Sequence, residues 1–295
     1  MPYSFRSGEE LLALCRDHNI PIHEVMFRRE LEIGDLPRNA LREEMYQNLL
    51  VMRASVEKGL AEEYRSVSGL SGGDAQKLDD YADAAFMGPF MAHAVAASMA
   101  VVEVNASMGR IVAAPTAGAS GILPGCLLTA AKARGWGDDL LLDGLFTAAA
   151  IGSIIAANAT LAGAEGGCQA ETGAGAAMTA AALAELSGAK PEVCLDAAAI
   201  ALKNIMGLVC DPVAGLVECP CIKRNAIGAA NAFLSADLAL AGIGSIIPFD
   251  EAVAAMRAVG RALPQELRET AKGGLAATAT ARRITRELGL RGPAE

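Results

Sequence analysis

The chain has 295 residues, enough to bury a large core as one big domain or two small ones. Hydrophobic residues make up 53% of it, aromatics only 4%, and the formal net charge is −9. That balance excludes a disordered tail and a nucleic-acid binder, which would show a basic stripe, and favours an acidic protein handling small molecules.

The N-terminal third reads as amphipathic helix. Ser7 and Glu10 have capping-box spacing, and Leu11, Leu12, Leu14 and Cys15 follow on one side. Pro37 suits the first turn of a further helix. Leu41, Met45, Leu49, Met52, Val56 and Leu60 then recur at spacings of three and four, a core-facing stripe. A polar, Gly-rich break over 66–74 follows. The pattern predicts a helix over 77–106 with a kink at Gly88-Pro89, then a second break over 109–125 too rich in Gly and Pro for helix. Helices are predicted over 126–134, 139–163, 173–187 and 192–206, with loops at 164–172 and 207–224, and closing helices near 226–241, 250–260 and 275–288.

Residues 145–163 form an apolar run of near-spanning length. The run is dominated by Ala and Gly, contains Ser153, Asn158 and Thr160, and lacks flanking basic or aromatic anchors, so it reads as a buried central helix. Alternating β-branched runs are almost absent. The expected architecture is therefore all-α: a single large helical domain over 1–295, with 1–65 as an N-terminal helical segment packed on it. Its Gly-rich loops are expected to converge on one site.

Seven scattered cysteines and a polar start at Met1-Pro2-Tyr3-Ser4 argue against a disulfide framework and for reduced thiols in the cytoplasm. Cys168, Cys210 and Cys221 fall in the predicted loops, whereas Cys15, Cys126 and Cys194 fall on helices, as small hydrophobic residues do. Loop thiolates beside glycines such as Gly166-Gly167 suit an iron–sulfur cluster, and three ligands would leave one iron open. No C-x₂-C ferredoxin pattern is present, and inert thiols remain an equal reading of the cysteine distribution alone.

Four strings occur in order: LSGGDAQK (70–77), AAPTAGASGILPG (113–125), GAEGGCQAETG (163–173) and CDPVAGLVECPCIKRNA (210–226). Together they resemble the α chains of bacterial iron–sulfur L-serine dehydratases. The resemblance implies a lyase that converts L-serine to pyruvate and ammonia without pyridoxal phosphate, in amino-acid degradation and gluconeogenesis. It implies a [4Fe-4S] cluster on Cys168, Cys210 and Cys221, with an open iron acting on the serine hydroxyl. Cys219 departs from the family pattern and is either a bystander or an alternative ligand, with the bystander reading preferred because Cys221 holds the motif position. A separate β chain and a higher oligomer are expected partners. The tail Arg291-Gly292-Pro293-Ala294-Glu295 offers no cysteine as a fourth ligand.

Substrate contacts are expected from the Ser71-Gly72-Gly73-Asp74 turn before a helix, whose N–H groups could hold a carboxylate while Asp74 meets the ammonium or caps the helix. Thr116 and Ser120 offer hydroxyl donors or plain turn bonds. The general base is not evident; Lys77 is a candidate, with a surface role as its alternative. A related cluster-dependent L-cysteine desulfidase and a non-enzymatic helical scaffold are the competing functions.

Overall fold

Ser7 does cap the first helix: its Oγ accepts from the N–H of Glu10 at 3.1 Å, a contact worth about 1 kcal/mol. The Glu10 carboxylate reaches back past Ser7 to the N–H of Arg6 at 2.6 Å, one residue beyond a strict capping box. The computed structural model describes residues 2–34, 37–61 and 64–290. Within them the helices are α1 (Gly8–His18), α2 (Ile22–Gly34), α3 (Arg38–Ala61), α4 (Asp74–Asp80), α5 (Gly88–Ala106), α6 (Ile122–Arg134) and α7 (Asp138–Asn158). They continue as α8 (Gly163–Gly166), α9 (Ala174–Leu186), α10 (Pro191–Asn204), α11 (Cys221–Leu240), α12 (Phe249–Ala262) and α13 (Ala279–Glu287). No strand occurs among the described residues; Cys210 and Arg268 make an isolated bridge. The fold is all-α, as the scarcity of β-branched alternation implies.

Helix α9 forms the centre. Every residue from Ala174 to Ala184 is buried, as befits a helix apolar on all sides. It packs against α6, α7, α10 and α11, and its alanines let these neighbours come close. Helices α5 and α7 are long and apolar enough to cross a bilayer, yet 67% of each apolar window is buried inside the protein. The predicted stripe on α3 is borne out in its middle: Leu49, Met52 and Val56 are buried, while Leu41, Met45 and Leu60 pack at its edges.

The single helix expected over 77–106 is instead two. Gly88 adopts a left-handed φ of 77° and Pro89 sits in the first turn of α5, so the chain starts a new helix there after an irregular passage. The helix expected over 139–163 ends at Asn158, whose Nδ2 donates to the carbonyls of Ile154 (2.8 Å) and Arg6 (2.6 Å). The helix expected from 226 begins at Cys221, five residues earlier.

A polar clamp ties α2 to the core. The Glu185 carboxylate accepts from the backbone N–H groups of Ile22 and His23, both at 3.1 Å, and from Thr147 Oγ1 at 3.0 Å. His23 Nδ1 lies 2.5 Å from the same carboxylate, and its Nε2 lies 3.8 Å from Asp143. Burial pushes the His23 pKa down, but Glu185, Asp143 and Glu24 outweigh it and hold it above the ordinary 6.5. Folded protein therefore keeps a proton that the unfolded chain releases. The resulting stability is complete below pH 6.5 and is lost as pH rises through the higher native value. Thermal unfolding of the wild type should lose stability over that range, and His23→Gln should flatten the loss. Equal pH slopes for the two proteins would contradict this.

Candidate active site

The two loops around Cys168 and Cys210 are stitched together by one buried amide. Gln169 Nε2 donates to the carbonyls of Gly166 (2.9 Å) and Met256 (3.0 Å), and its Oε1 accepts from the N–H of Gly207 at 2.9 Å. The Gln169 N–H donates to the Leu208 carbonyl at 3.0 Å. Gly167, at a left-handed φ of 76°, approaches the same carbonyl so closely that a Cβ would lie 2.7 Å from it. Cys168 then leads into a π-helical turn, Gln169–Gly173, that runs on into α9. Cys210 is fixed by its N–H donating to the Leu267 carbonyl at 2.9 Å and by its own carbonyl accepting from the Glu269 N–H at 2.6 Å. Cys221 is the first residue of α11, not a loop residue as the sequence pattern suggests.

These three thiols are buried and unpaired. Burial first, then the neighbouring Cys168, Glu171, Glu269 and Cys221, pushes the Cys210 thiol far up. Burial, then Cys168 and Glu171, pushes Cys221 up to about 12. Burial also raises Cys168, against the opposing influence of Thr172 and Arg224. The thiols are thus close enough to oppose one another's ionisation, and a cationic centre between them would reverse that cost. Cys219 is exposed, and Cys15, Cys126 and Cys194 are buried on α1, α6 and α10.

As the side chains stand, no group of three His, Cys, Asp or Glu among the described residues closes on a single-ion site. The donor set nevertheless suits an iron–sulfur group: three buried thiols, with Cys168 near enough to Cys210 and Cys221 to oppose their ionisation, and glycine at the wall. A Cβ on Gly163 would lie 2.9 Å from Cys210 Sγ and 2.6 Å from Glu171 Oε2, so only glycine leaves that space clear. The buried Nε of Arg268, across the backbone bridge from Cys210, has no acceptor among the described residues.

Glu171 is the residue the sequence reading missed. Its Oε1 accepts from Thr116 Oγ1 at 2.7 Å, and its Oε2 lies 3.9 Å from Cys210 Sγ. Burial raises its pKa, Thr116 opposes the shift, and Glu269 adds to it. The signal was only partial: Glu171 stands three residues after Cys168, which would share a face on an α-helical turn, but the segment is π-helical and it is Thr172 that meets Cys168, at 3.1 Å. Arg224, beside Cys168, braces the Cys210 loop by donating to the carbonyl of Val209 (2.8 Å) and to Asp211 Oδ1 (2.7 Å). Asn225 Nδ2 reaches the Gly118 carbonyl at 2.7 Å, which brings the second Gly-rich loop against α11.

The other expected contacts are distributed unevenly. Thr116 faces Glu171, whereas the Ser120 hydroxyl is spent on the Ala117 carbonyl at 2.8 Å. Ser71 Oγ donates to Glu218 Oε2 at 2.6 Å, which packs the 66–74 loop onto the segment just before Cys221. The N–H groups of Gly73, Asp74 and Ala75 are engaged by the buried carboxylate of Glu103, with Asp74 N at 2.9 Å. That helix terminus thus carries the protein's own anion. Asp74 pairs with Lys223 at 2.7 Å and Lys77 at 3.3 Å, and Lys223, more than Lys77, holds its carboxyl below the usual range. Lys77 is surface-exposed. His93 is also exposed and bonds Asp79 at 2.6 Å. The tail at 291–295 lies outside the described residues.

The chain matches the family model described as "Serine dehydratase alpha chain" over residues 17–276. It is 47% identical to the "Probable L-serine dehydratase, alpha chain" of Bacillus subtilis, over 96% of this chain and 95% of that one. It is 43% identical to the "L-serine dehydratase, alpha chain" of Peptoniphilus asaccharolyticus, over 96% and 97%. Against the "L-serine dehydratase" of Streptomyces coelicolor it is 38% identical, over 94% of this chain but 61% of the longer relative.

Proposed function

Because the chain belongs to the serine dehydratase α-chain family, we propose that it is the catalytic chain of a lyase that converts L-serine to pyruvate and ammonia. What supports this reading is that Cys168, Cys210 and Cys221 are buried, that Cys168 opposes the ionisation of the other two, and that Glu171 Oε2 lies 3.9 Å from Cys210 Sγ. In this reading the three cysteines hold a [4Fe-4S] group. When bound, that group supplies a Lewis-acidic iron, free of a protein thiolate, that makes the serine hydroxyl a better leaving group.

The chain's own residues do the rest. In this reading Glu171 takes the Cα proton on a carboxylate oxygen, and Thr116 orients that carboxylate through its hydrogen bond. Asp74, Lys77 and Lys223 form a charged rim of both signs, suited to the ammonium and carboxylate of a free amino acid. Ser71, Gly72 and Gly73 shape that rim, and Ser120 holds the Thr116 loop in its turn. Arg224 and Asp211 tie the start of α11, and with it Cys221, to the Cys210 loop. Loss of the Cα proton and of the hydroxyl as water leaves aminoacrylate, which hydrolyses to pyruvate and ammonia. Seven unpaired thiols accord with a reducing, cytoplasmic setting. A β chain completes the enzyme within a higher oligomer.

The test is an anaerobic assay of this chain with its β chain on L-serine and L-cysteine. Pyruvate should form from L-serine, should be lost on aeration, and should be restored by anaerobic iron and thiol but not by pyridoxal phosphate. Turnover that needs pyridoxal phosphate, or sulfide release from L-cysteine with no serine turnover, would overturn the reading.

A further inference from the structure

Helix α11 carries an exposed stripe that is apolar where a solvated helix face should be polar. Ile227 and Leu234, seven residues apart and so on one face, are 49% and 53% exposed. Beside the lower part of this stripe, Phe90 of α5 meets Phe233 edge-on, with ring centroids 5.1 Å apart, and itself stays 41% exposed. Phe86, one turn earlier in the chain, stands wholly in solvent. Helices α5 and α11 run antiparallel, since Phe90 lies against Phe233 while Ser98 and Asn225 close together around Gly121. The pair therefore leaves apolar side chains exposed on both helices: Ile227 and Leu234 on α11, Phe90 on α5, and Phe86 just before α5.

A soluble monomer rarely leaves aromatic and aliphatic side chains grouped in water, and buried aromatic anchors dominate protein interfaces. Resting on the dehydratase reading above, we propose that this α5–α11 surface is where the β chain docks. Two observations select that occupant. The longer Streptomyces relative aligns with this chain over only 61% of its length, so in that protein further polypeptide accompanies the same helical unit. The stripe is also continuous with the candidate active site. Lys223 lies one turn before Ile227 on the same face and pairs with Asp74 at the rim. The rise of an α-helix puts Leu234 only about 16 Å from Lys223. A chain seated on Phe86, Phe90, Ile227 and Leu234 would reach the rim and shield it from water.

Association of this chain with the β chain, measured by co-elution and titration, tests the proposal. The double variant Phe86→Glu/Leu234→Glu should weaken association at least about tenfold, the loss expected when interface anchors are replaced. Its helical circular dichroism and iron content should stay those of the wild type. A photo-crosslinking side chain in place of Leu234 should capture the β chain, which keeps the test valid even if the double variant folds poorly. Wild-type association of the folded double variant would overturn the proposal. So would a wild-type chain that binds no β chain, or a crosslink to a second copy of this chain. Turnover is read separately: loss of association in a protein that never deaminates serine would leave the docking surface standing and remove the activity.

Discussion

Replacing Cys168, Cys210 or Cys221 by serine abolishes iron binding and serine turnover, while Cys194→Ser leaves both in place. The contrast follows from where the thiols sit. The first three come from separate elements, the turn before α9, the bridge to Arg268 and the start of α11, yet Cys168 is near enough to oppose the ionisation of Cys210 and Cys221. Cys194 lies on α10, where burial, then Glu185 and Cys15, raises its thiol well above the usual range and none of the three site cysteines adjoins it. A serine hydroxyl is a poorer, harder donor for a cluster iron than a thiolate. Loss of one ligand of three should cost more than the roughly 10- to 100-fold that follows loss of an outer-shell partner. At residue 194 a hydroxyl can return to the Lys190 carbonyl one turn back, which already accepts from the Cys194 N–H at 3.2 Å. Iron and sulfide counts on anaerobically purified variants, beside circular dichroism, decide the matter. Full iron content in the three site variants would reject the assignment.

Glu171→Gln lowers kcat by about 10²- to 10⁴-fold, the range for removing a positioned general base, and changes KM and iron content far less. Glutamine keeps an acceptor for Thr116 Oγ1 and nearly the same volume, so the wall beside Cys210 and Gly163 stays filled. What is lost is the capacity to take a proton. The split between kcat and KM separates this role from a merely structural one. A variant whose kcat stays near the wild-type value would move the base elsewhere in the site. A variant that loses its iron would show Glu171 to be a support for Cys210.

The helical class and the burial of the first part of the 145–163 run, Leu145 to Ile155, could be read before any coordinates, whereas the grouping of the Cys168, Cys210 and Cys221 strings came from the family resemblance. Local signals sufficed for the first two: three-and-four periodicity and small residues. What escaped depends on contacts distant in sequence. Glu103 looks like an ordinary polar position in an apolar helix, yet it is buried and fills the start of α4, 29 residues upstream. The carboxylate site expected at Ser71-Gly72-Gly73-Asp74 could not be judged without that partner. Glu185 likewise reaches His23 across 162 residues. The break before α5 was mistaken for a kink because Gly88-Pro89 reads the same way in both cases, and only the left-handed φ of Gly88 separates them.

The central claim joins one set of thiols to one reaction, so its most direct measurement follows both in the same sample. The chain and its β chain are mixed, iron and sulfide are restored stepwise without oxygen, and pyruvate formed from L-serine is read against bound iron at each step. The account predicts turnover that rises from near zero in proportion to bound iron and falls with it on aeration. Turnover that is already complete before iron is restored, or that ignores iron bound through Cys168, Cys210 and Cys221, would contradict it.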